Sequence, residues 1–315
     1  METGYTIVFS DKETLSALCG VNDGNLETIE EYLGAPVVIR GNEMTVVTSD
    51  DDTCVKFQTL IDRVLSEHPE KVQNSSDMIF SLISRLKTDP VTGLEHTYIQ
   101  IPHGFFRIYP KTAGQAELIS KLYKHPIVFC LGPAGTGKTF LAVAQALKMV
   151  LSHEVRKIVL TRPVVEAGEN LGFLPGDLEQ KINPYLRPLY DAMELLVSPE
   201  IVKRMEESHM IEIAPLAYMR GRSLDNAVVI LDEAQNTTRE QMKMFLTRLG
   251  CNVKAIITGD ITQVDLPPKQ ESGLSHAVRI LQNVPEIAII SLGNQDVVRN
   301  PLVKKIVQAY EQEKV

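Results

Sequence analysis

The chain of 315 residues has no tryptophan and four cysteines. Cys19, Cys54, Cys130 and Cys251 lie far apart, with no C-x-x-C pair and no histidine cluster nearby. That spacing excludes a disulfide framework or an ordinary zinc site, and reduced packing thiols in a cytoplasmic protein are expected. No apolar run approaches the roughly 20 residues of a membrane span. The start, Met1-Glu-Thr-Gly-Tyr5, lacks the basic region and apolar core of a secretion signal, so no membrane partner is expected. Low-complexity tracts and internal repeats are absent as well. An overall excess of positive charge is also missing. The net charge of −8 argues, taken whole, against a nucleic-acid partner. Splitting the chain changes that reading. Residues 1–80 carry 15 acidic and 5 basic side chains, whereas the remainder carries 25 and 27. The acidity therefore belongs to one segment, and the rest is free to present a basic face.

What is present suits one large domain and a small one. Residues 1–75 alternate short strand-like and helix-like stretches. Tyr5–Phe9 alternates as a strand, and residues 26–33 carry apolar side chains at helical spacing. The segments 36–40 and 44–48 flank Gly41-Asn42 as a β-hairpin, and Asp50–Asp52 starts a helix that runs to His68. Together these predict a small acidic α+β domain. Residues 76–110, polar and broken by proline and glycine around one helical pattern near 77–86, read as a linker and approach segment. From 111 to 315 strands alternate with helices. The candidate strands are 127–131, 157–161, 210–214, 227–231, 253–258 and 287–290. This alternation predicts an α/β fold, a parallel sheet with helices on both faces.

Between the first of those strands and a run of strong helix formers stands Gly132-Pro133-Ala134-Gly135-Thr136-Gly137-Lys138-Thr139, a complete G-x-x-x-x-G-K-[ST] loop. Glycines let successive backbone N–H groups turn inward around phosphates at the positive end of a helix dipole. Lys138 is placed to reach the β- and γ-phosphates, and the Thr139 hydroxyl to hold Mg²⁺. A nucleoside triphosphate ligand with Mg²⁺ is expected.

Five apolar residues run directly into Asp232-Glu233. A carboxylate at the tip of a buried strand beside the loop can complete the Mg²⁺ shell, which is the role expected of Asp232. Glu233 is the expected base or orienter for an attacking water. A second apolar strand ends in Thr258-Gly259-Asp260, with Gln263 three residues later. An amide there could contact the γ-phosphate, and the alternative is a helix cap by Asp260 with Gln263 uninvolved. Upstream, Gln115 in Lys111-Thr-Ala-Gly-Gln115 could both donate to and accept from an adenine edge.

These segments resemble the PhoH family of P-loop ATPases, related to the first motor domain of superfamily 1 helicases. The likeness covers roughly 105–310 and rests on 110–115, 132–142, 161–168, 172–177, Arg220-Gly-Arg222, 231–238 and 258–263. It implies ATP as the nucleotide and a RecA-like core in which Gln115 reads adenine, Asp232 and Glu233 form the acidic motor pair, and Gln263 senses the γ-phosphate. It also implies that Arg162, Glu166 and the glycines of 161–177 couple the site to nucleic acid; the alternative is a loop that only shapes the nucleotide pocket. The small domain is similar to the KH-like unit that precedes such cores. Its nearest Gly-x-x-Gly candidate, Gly20-Val-Asn-Asp-Gly24, has one residue too many and no Lys or Arg, so docking or oligomer contact is at least as fitting a role.

Only one motor domain fits in this length, while charge on the transferring phosphoryl group calls for an arginine, often supplied in trans. A homo-oligomer, for instance a ring, is therefore expected, with Arg299, Arg220 or Arg222 donated by a neighbour. Three function classes follow. The first is an ATPase coupled to RNA, with a protein partner in RNA processing. The second is an ATP-gated scaffold that moves no strand. A small-molecule kinase is third, disfavoured because no arginine-rich lid is visible.

Overall fold

A computed structural model describes residues 4–69, 75–88, 98–102, 107–163, 187–267 and 270–298. The chain divides into two compact units, residues 1–100 with 105–116, and 101–104 with 117–315.

In the first unit the order is β1 (Gly4–Val8), α1 (Lys12–Cys19), a turn at Val21–Asp23, α2 (Gly24–Leu33), β2 (Val37–Arg40), β3 (Glu43–Val47) and α3 (Asp51–Ser66). The three strands form an antiparallel sheet ordered β1-β3-β2. Two helices start on aspartates, whose carboxylates accept otherwise orphaned backbone N–H groups. Asp11 takes Thr14 N at 2.7 Å and Asp50 takes Thr53 N at 3.0 Å. The stretch read as a linker contains α4 (Ser75–Thr88) and a short antiparallel pair, β4 (Ile99–Gln100) with β5 (Arg107–Ile108). Met78, Ile79 and Leu82 of α4 are buried in one core with Leu18, Ile29, Met44 and Phe57. The turn at Gly20–Gly24 sits at the corner between α1 and α2. Asn22 and Asp23 there are both left-handed, at φ 54° and 57°.

The second unit runs from α5 (Ala113–Lys124), inside which the division falls, through β6 (Ile127–Leu131), α6 (Lys138–Leu151) and β7 (Lys157–Thr161). It continues with α7 (187–194), α8 (Pro199–Glu207), β8 (Ile211–Ile213), β9 (Ala227–Leu231), α9 (Arg239–Leu246), β10 (Val253–Gly259), α10 (Gly273–Leu281) and β11 (Ile287–Ser291). Six parallel strands lie in the order β11-β6-β10-β9-β7-β8. The sheet is covered on both faces, which is why its strands read as continuous apolar runs. Phe129, Val159, Val229 and Ile257 pack with Phe245 of α9 and Leu274 of α10. Residues of opposite parity, such as Val128, Leu160, Ile230 and Ile256, are equally buried on the other face. There α6 packs against β7, β9 and β10.

All four cysteines are unpaired. Burial pushes the Cys19 thiol up to about 11 and the Cys130 thiol up to about 12, so both stay protonated as packing groups. Among the described residues, no helix is long and apolar enough to cross a membrane and no group of three or more His, Cys, Asp or Glu could hold a metal ion.

Candidate active site

In a parallel sheet every strand ends at the same edge, and ligands bind where connections leave that edge. The register pairs Leu131 with Gly259, Ile257 with Leu231, and Leu231 with Thr161, so the tips of β6, β10, β9 and β7 are aligned. Strand β10 lies between β6 and β9. Its tip therefore stands between the strand ends that carry Gly132 and Asp232 and adds Asp260 beside them.

The loop leaves β6 at Gly132, whose N–H donates to Gly259 O at 3.1 Å. Gly132 has φ 143°, and a Cβ there would lie 2.6 Å from Leu292 O. No side chain fits that approach. The loop then turns through Gly135 and enters α6 at Gly137. Lys138 Nζ donates to the carbonyls of Gly132 at 2.6 Å and Pro133 at 2.8 Å, which hold the ammonium inside the loop. Burial lowers its pKa from the ordinary lysine value, and Asp260, Asp232 and Glu233 oppose that shift by attraction. Thr136 is fully buried and its hydroxyl closes the loop onto Pro133 O at 2.9 Å.

Asp232, 4% exposed, receives two hydroxyls on one oxygen, Thr139 Oγ1 at 3.0 Å and Thr258 Oγ1 at 2.5 Å. Glu233 follows in the left-handed region at φ 53°, uncommon for a residue with a side chain. Its carboxylate lies 3.4 Å from Arg162 on one oxygen and accepts from Gln235 Nε2 at 2.6 Å on the other. At the tip of β10 the carboxylate of Asp260 accepts from Thr262 N and Oγ1 and, at 2.6 Å, from Gln263 Nε2. The helix cap considered for Asp260 is thus a turn cap, and it holds the Gln263 amide. A cavity of about 270 Å³ is enclosed by these pieces, with Ala134, Gly135, Gly137, Lys138, Thr139 and Phe140 on one side. Asp232, Glu233, Gly259, Asp260 and Gln263 line the other side.

The structure therefore brings Lys138, Thr139, Asp232, Glu233 and Gln263 together. Gln115 belongs to the first unit, where its buried Oε1 accepts from Lys111 N at 2.8 Å at the start of α5. Arg299 and Glu166, with the glycines of the 161–177 segment, lie outside the described residues. Arg222 is bound to Glu212, which also holds Lys157 at 2.5 Å. Arg220 is exposed and makes no ion pair among the described residues. Thr258, Gln235 and Arg162 as a partner of Glu233 were not singled out from sequence. The only signal for Gln235 was its place two residues after Glu233 of the acidic pair.

A parallel sheet with a glycine-rich phosphate loop between β6 and α6, and an acidic residue at the tip of β9, defines a P-loop nucleotide-binding protein of the ATPase type. Residues 107–311 match the family described as PhoH-like protein, and the chain belongs to the PhoH family. A PhoH-like protein of Synechocystis sp. (strain ATCC 27184 / PCC 6803 / Kazusa) is 44% identical over 312 residues, covering 98% of this chain and 95% of that one. The PhoH-like protein of Bacillus subtilis (strain 168) is 45% identical over 304 residues, with coverages of 96% and 95%. Protein PhoH of Escherichia coli (strain K12) is 44% identical over 212 residues, covering 64% of this chain and 58% of the relative.

Proposed function

We propose that this protein hydrolyses ATP with Mg²⁺ at the cavity between the glycine loop and the β9 and β10 tips, and that turnover is coupled to RNA. The observation that carries the hydrolytic reading is the convergence of Lys138, Thr139, Asp232, Glu233 and Gln263 on one cavity. The donor set fits the metal. Mg²⁺ takes hard oxygen ligands, usually one or two from protein beside water and phosphate, and the Thr139 hydroxyl and Asp232 carboxylate stand 3.0 Å apart. Bound there, Mg²⁺ would neutralise charge on the β- and γ-phosphates. Lys138 and the loop N–H groups hold the phosphate chain. Glu233 orients a water and accepts its proton, and Gln263 contacts the γ-phosphoryl oxygens.

The RNA coupling rests on the likeness to helicase motors and on the basic balance of the chain beyond residue 80. An arginine from a neighbouring copy completes the charge stabilisation in this reading. Arg220, exposed and unpaired among the described residues, suits that part better than Arg222, which Glu212 already holds. The acidity of the first unit favours a second reading of that unit, a docking surface for a protein partner, because phosphate backbone would be repelled from it.

The test is ATP hydrolysis at low salt, alone and with single-stranded RNA, single-stranded DNA or duplex RNA. Glu233→Gln serves as the blank, expected to bind ATP normally and to turn over at least about 100-fold more slowly. Stimulation by one RNA form supports the coupling. Indifference to all three polynucleotides overturns it and favours the partner-gated scaffold.

A further inference from the structure

We propose that Gln235 is a positioning residue for hydrolysis, one buried amide that locks the candidate base Glu233 to the segment carrying Gln263. The proposal rests on the reading of Glu233 as the base. Gln235 is 1% exposed, in the turn Ala234–Asn236 that follows β9. A buried amide is costly unless both its ends are satisfied, and here each end has one partner of fixed chemistry. Its Oε1 accepts the backbone N–H of Asp260 at 3.0 Å. A backbone N–H can only donate, so the amide cannot be flipped, and its Nε2 must face the Glu233 carboxylate at 2.6 Å. Only a primary amide of this length satisfies both ends. A carboxylate would lose the donor, and an apolar side chain would orphan both groups.

The next residue repeats the arrangement. Asn236 Oδ1 accepts from Asp265 N at 2.8 Å and its Nδ2 donates to Asp265 Oδ2 at 3.3 Å. Two adjacent amides after the acidic pair therefore grip both ends of segment 260–265. Gln263 sits between the grips, held to Asp260. Gly259 leaves the room, since a Cβ there would lie 2.9 Å from Gln235 Oε1 and 2.5 Å from Leu274 Cδ2.

The functional consequence is geometric. A base must meet its water within hydrogen-bond reach, and the Glu233 carboxylate is free to rotate unless something fixes it. Gln235 fixes one oxygen. It also makes any shift of the Asp260 backbone, as when Gln263 meets a γ-phosphoryl group, a shift of the base. Catalytic alignment and phosphate sensing become one motion along Asp260 N, Gln235 and Glu233.

The experiment compares full-length wild type with Gln235→Met, Gln235→Glu, Glu233→Gln and the double variant Glu233→Gln/Gln235→Met, measuring kcat, ATP affinity and thermal midpoint. Loss of a hydrogen bond to a charged group predicts kcat lower by about 10- to 100-fold in both Gln235 variants, with ATP affinity within about 3-fold of wild type. In the Glu233→Gln background the further loss should be under about 3-fold, because residues acting as a unit are not additive. A purely structural role would lower midpoint and affinity together and multiply through in the double variant, and that result overturns the proposal. Wild-type kcat in Gln235→Met beside an inactive Glu233→Gln overturns the positioning role alone. Full turnover by Glu233→Gln overturns the base assignment and the proposal with it. Should Gln235→Met fail to fold, the nearly isosteric Gln235→Glu decides by the same criteria.

Discussion

Two hydroxyls donate to the same oxygen of Asp232, and they should separate cleanly under mutation. Thr258 is fully buried at the tip of β10, and its Oγ1 lies 2.5 Å from Asp232 Oδ1. Thr258→Val keeps the shape and removes the donor from a carboxylate that is itself 4% exposed. Water has no route to replace it, so the cost is that of a hydrogen bond to a charged group, about 2 kcal/mol. For a unit of roughly 200 residues that lowers the thermal midpoint by roughly 4–8 °C. Thr139 reaches the same oxygen at 3.0 Å but lines the cavity and is half-buried. Water can take the place of its hydroxyl, so Thr139→Val should cost less than about 1 kcal/mol. In the proposed site it removes a ligand for Mg²⁺ instead, and the proposed turnover should fall by about 100-fold or more. Thermal unfolding by circular dichroism and a phosphate-release assay on both variants read the two effects separately. Equal midpoint shifts, or a Thr258→Val midpoint within about 1 °C of wild type, would refute the reasoning.

Gly132→Ala combines a left-handed φ of 143° with a Cβ 2.6 Å from Leu292 O, and should cost more than about 2 kcal/mol in denaturant unfolding. An unchanged midpoint and slope would show that the loop can back away from β11. Lys254 is buried, with its ammonium donating to the carbonyls of Leu122 and His125, and burial lowers its pKa from 10.5 to about 8. Between those two values the unfolded chain binds more protons at this site than the folded one, so its contribution to stability rises with pH. The difference in unfolding free energy between wild type and Lys254→Met should therefore grow from about pH 8 to about pH 10, and a flat difference would count against it.

Much of the second unit was legible because its chemistry is local. The strand, glycine loop and helix at 127–151 are contiguous, and each residue type there has a steric or hydrogen-bonding reason that needs no distant partner. The six strands could be read as apolar runs because both sheet faces are covered, and the observed bounds differ from the expected ones by a residue or so, 211–213 for 210–214 and 253–259 for 253–258. In the first unit α1 went unread. It is eight residues long, and only Leu15, Leu18 and Cys19 are buried, so its apolar stripe is too short to stand out. The Asp11 cap was its one clear signal. The helical pattern near 77–86 was legible and is α4. The polar and Pro/Gly residues around it still made 76–110 look like a linker, and nothing local showed that Met78, Ile79 and Leu82 join the core of the first unit.

Residue identities alone decided that a phosphate-binding type of glycine loop and an acidic pair exist, because a backbone that must approach phosphate tolerates only certain residues at certain steps. Strand order decided the rest. Nothing local says that β10 inserts between β6 and β9, yet that insertion sets Thr258 against Asp232 and Asp260 against Gln235. Burial then decides which polar contacts matter, since Gln235 at 1% exposure can satisfy its amide only through Glu233 and Asp260, while the same residue on a surface would turn to water. Spacing along the chain carries the reactive groups, and their mutual orientation comes from hydrogen bonds between segments that only packing brings within reach.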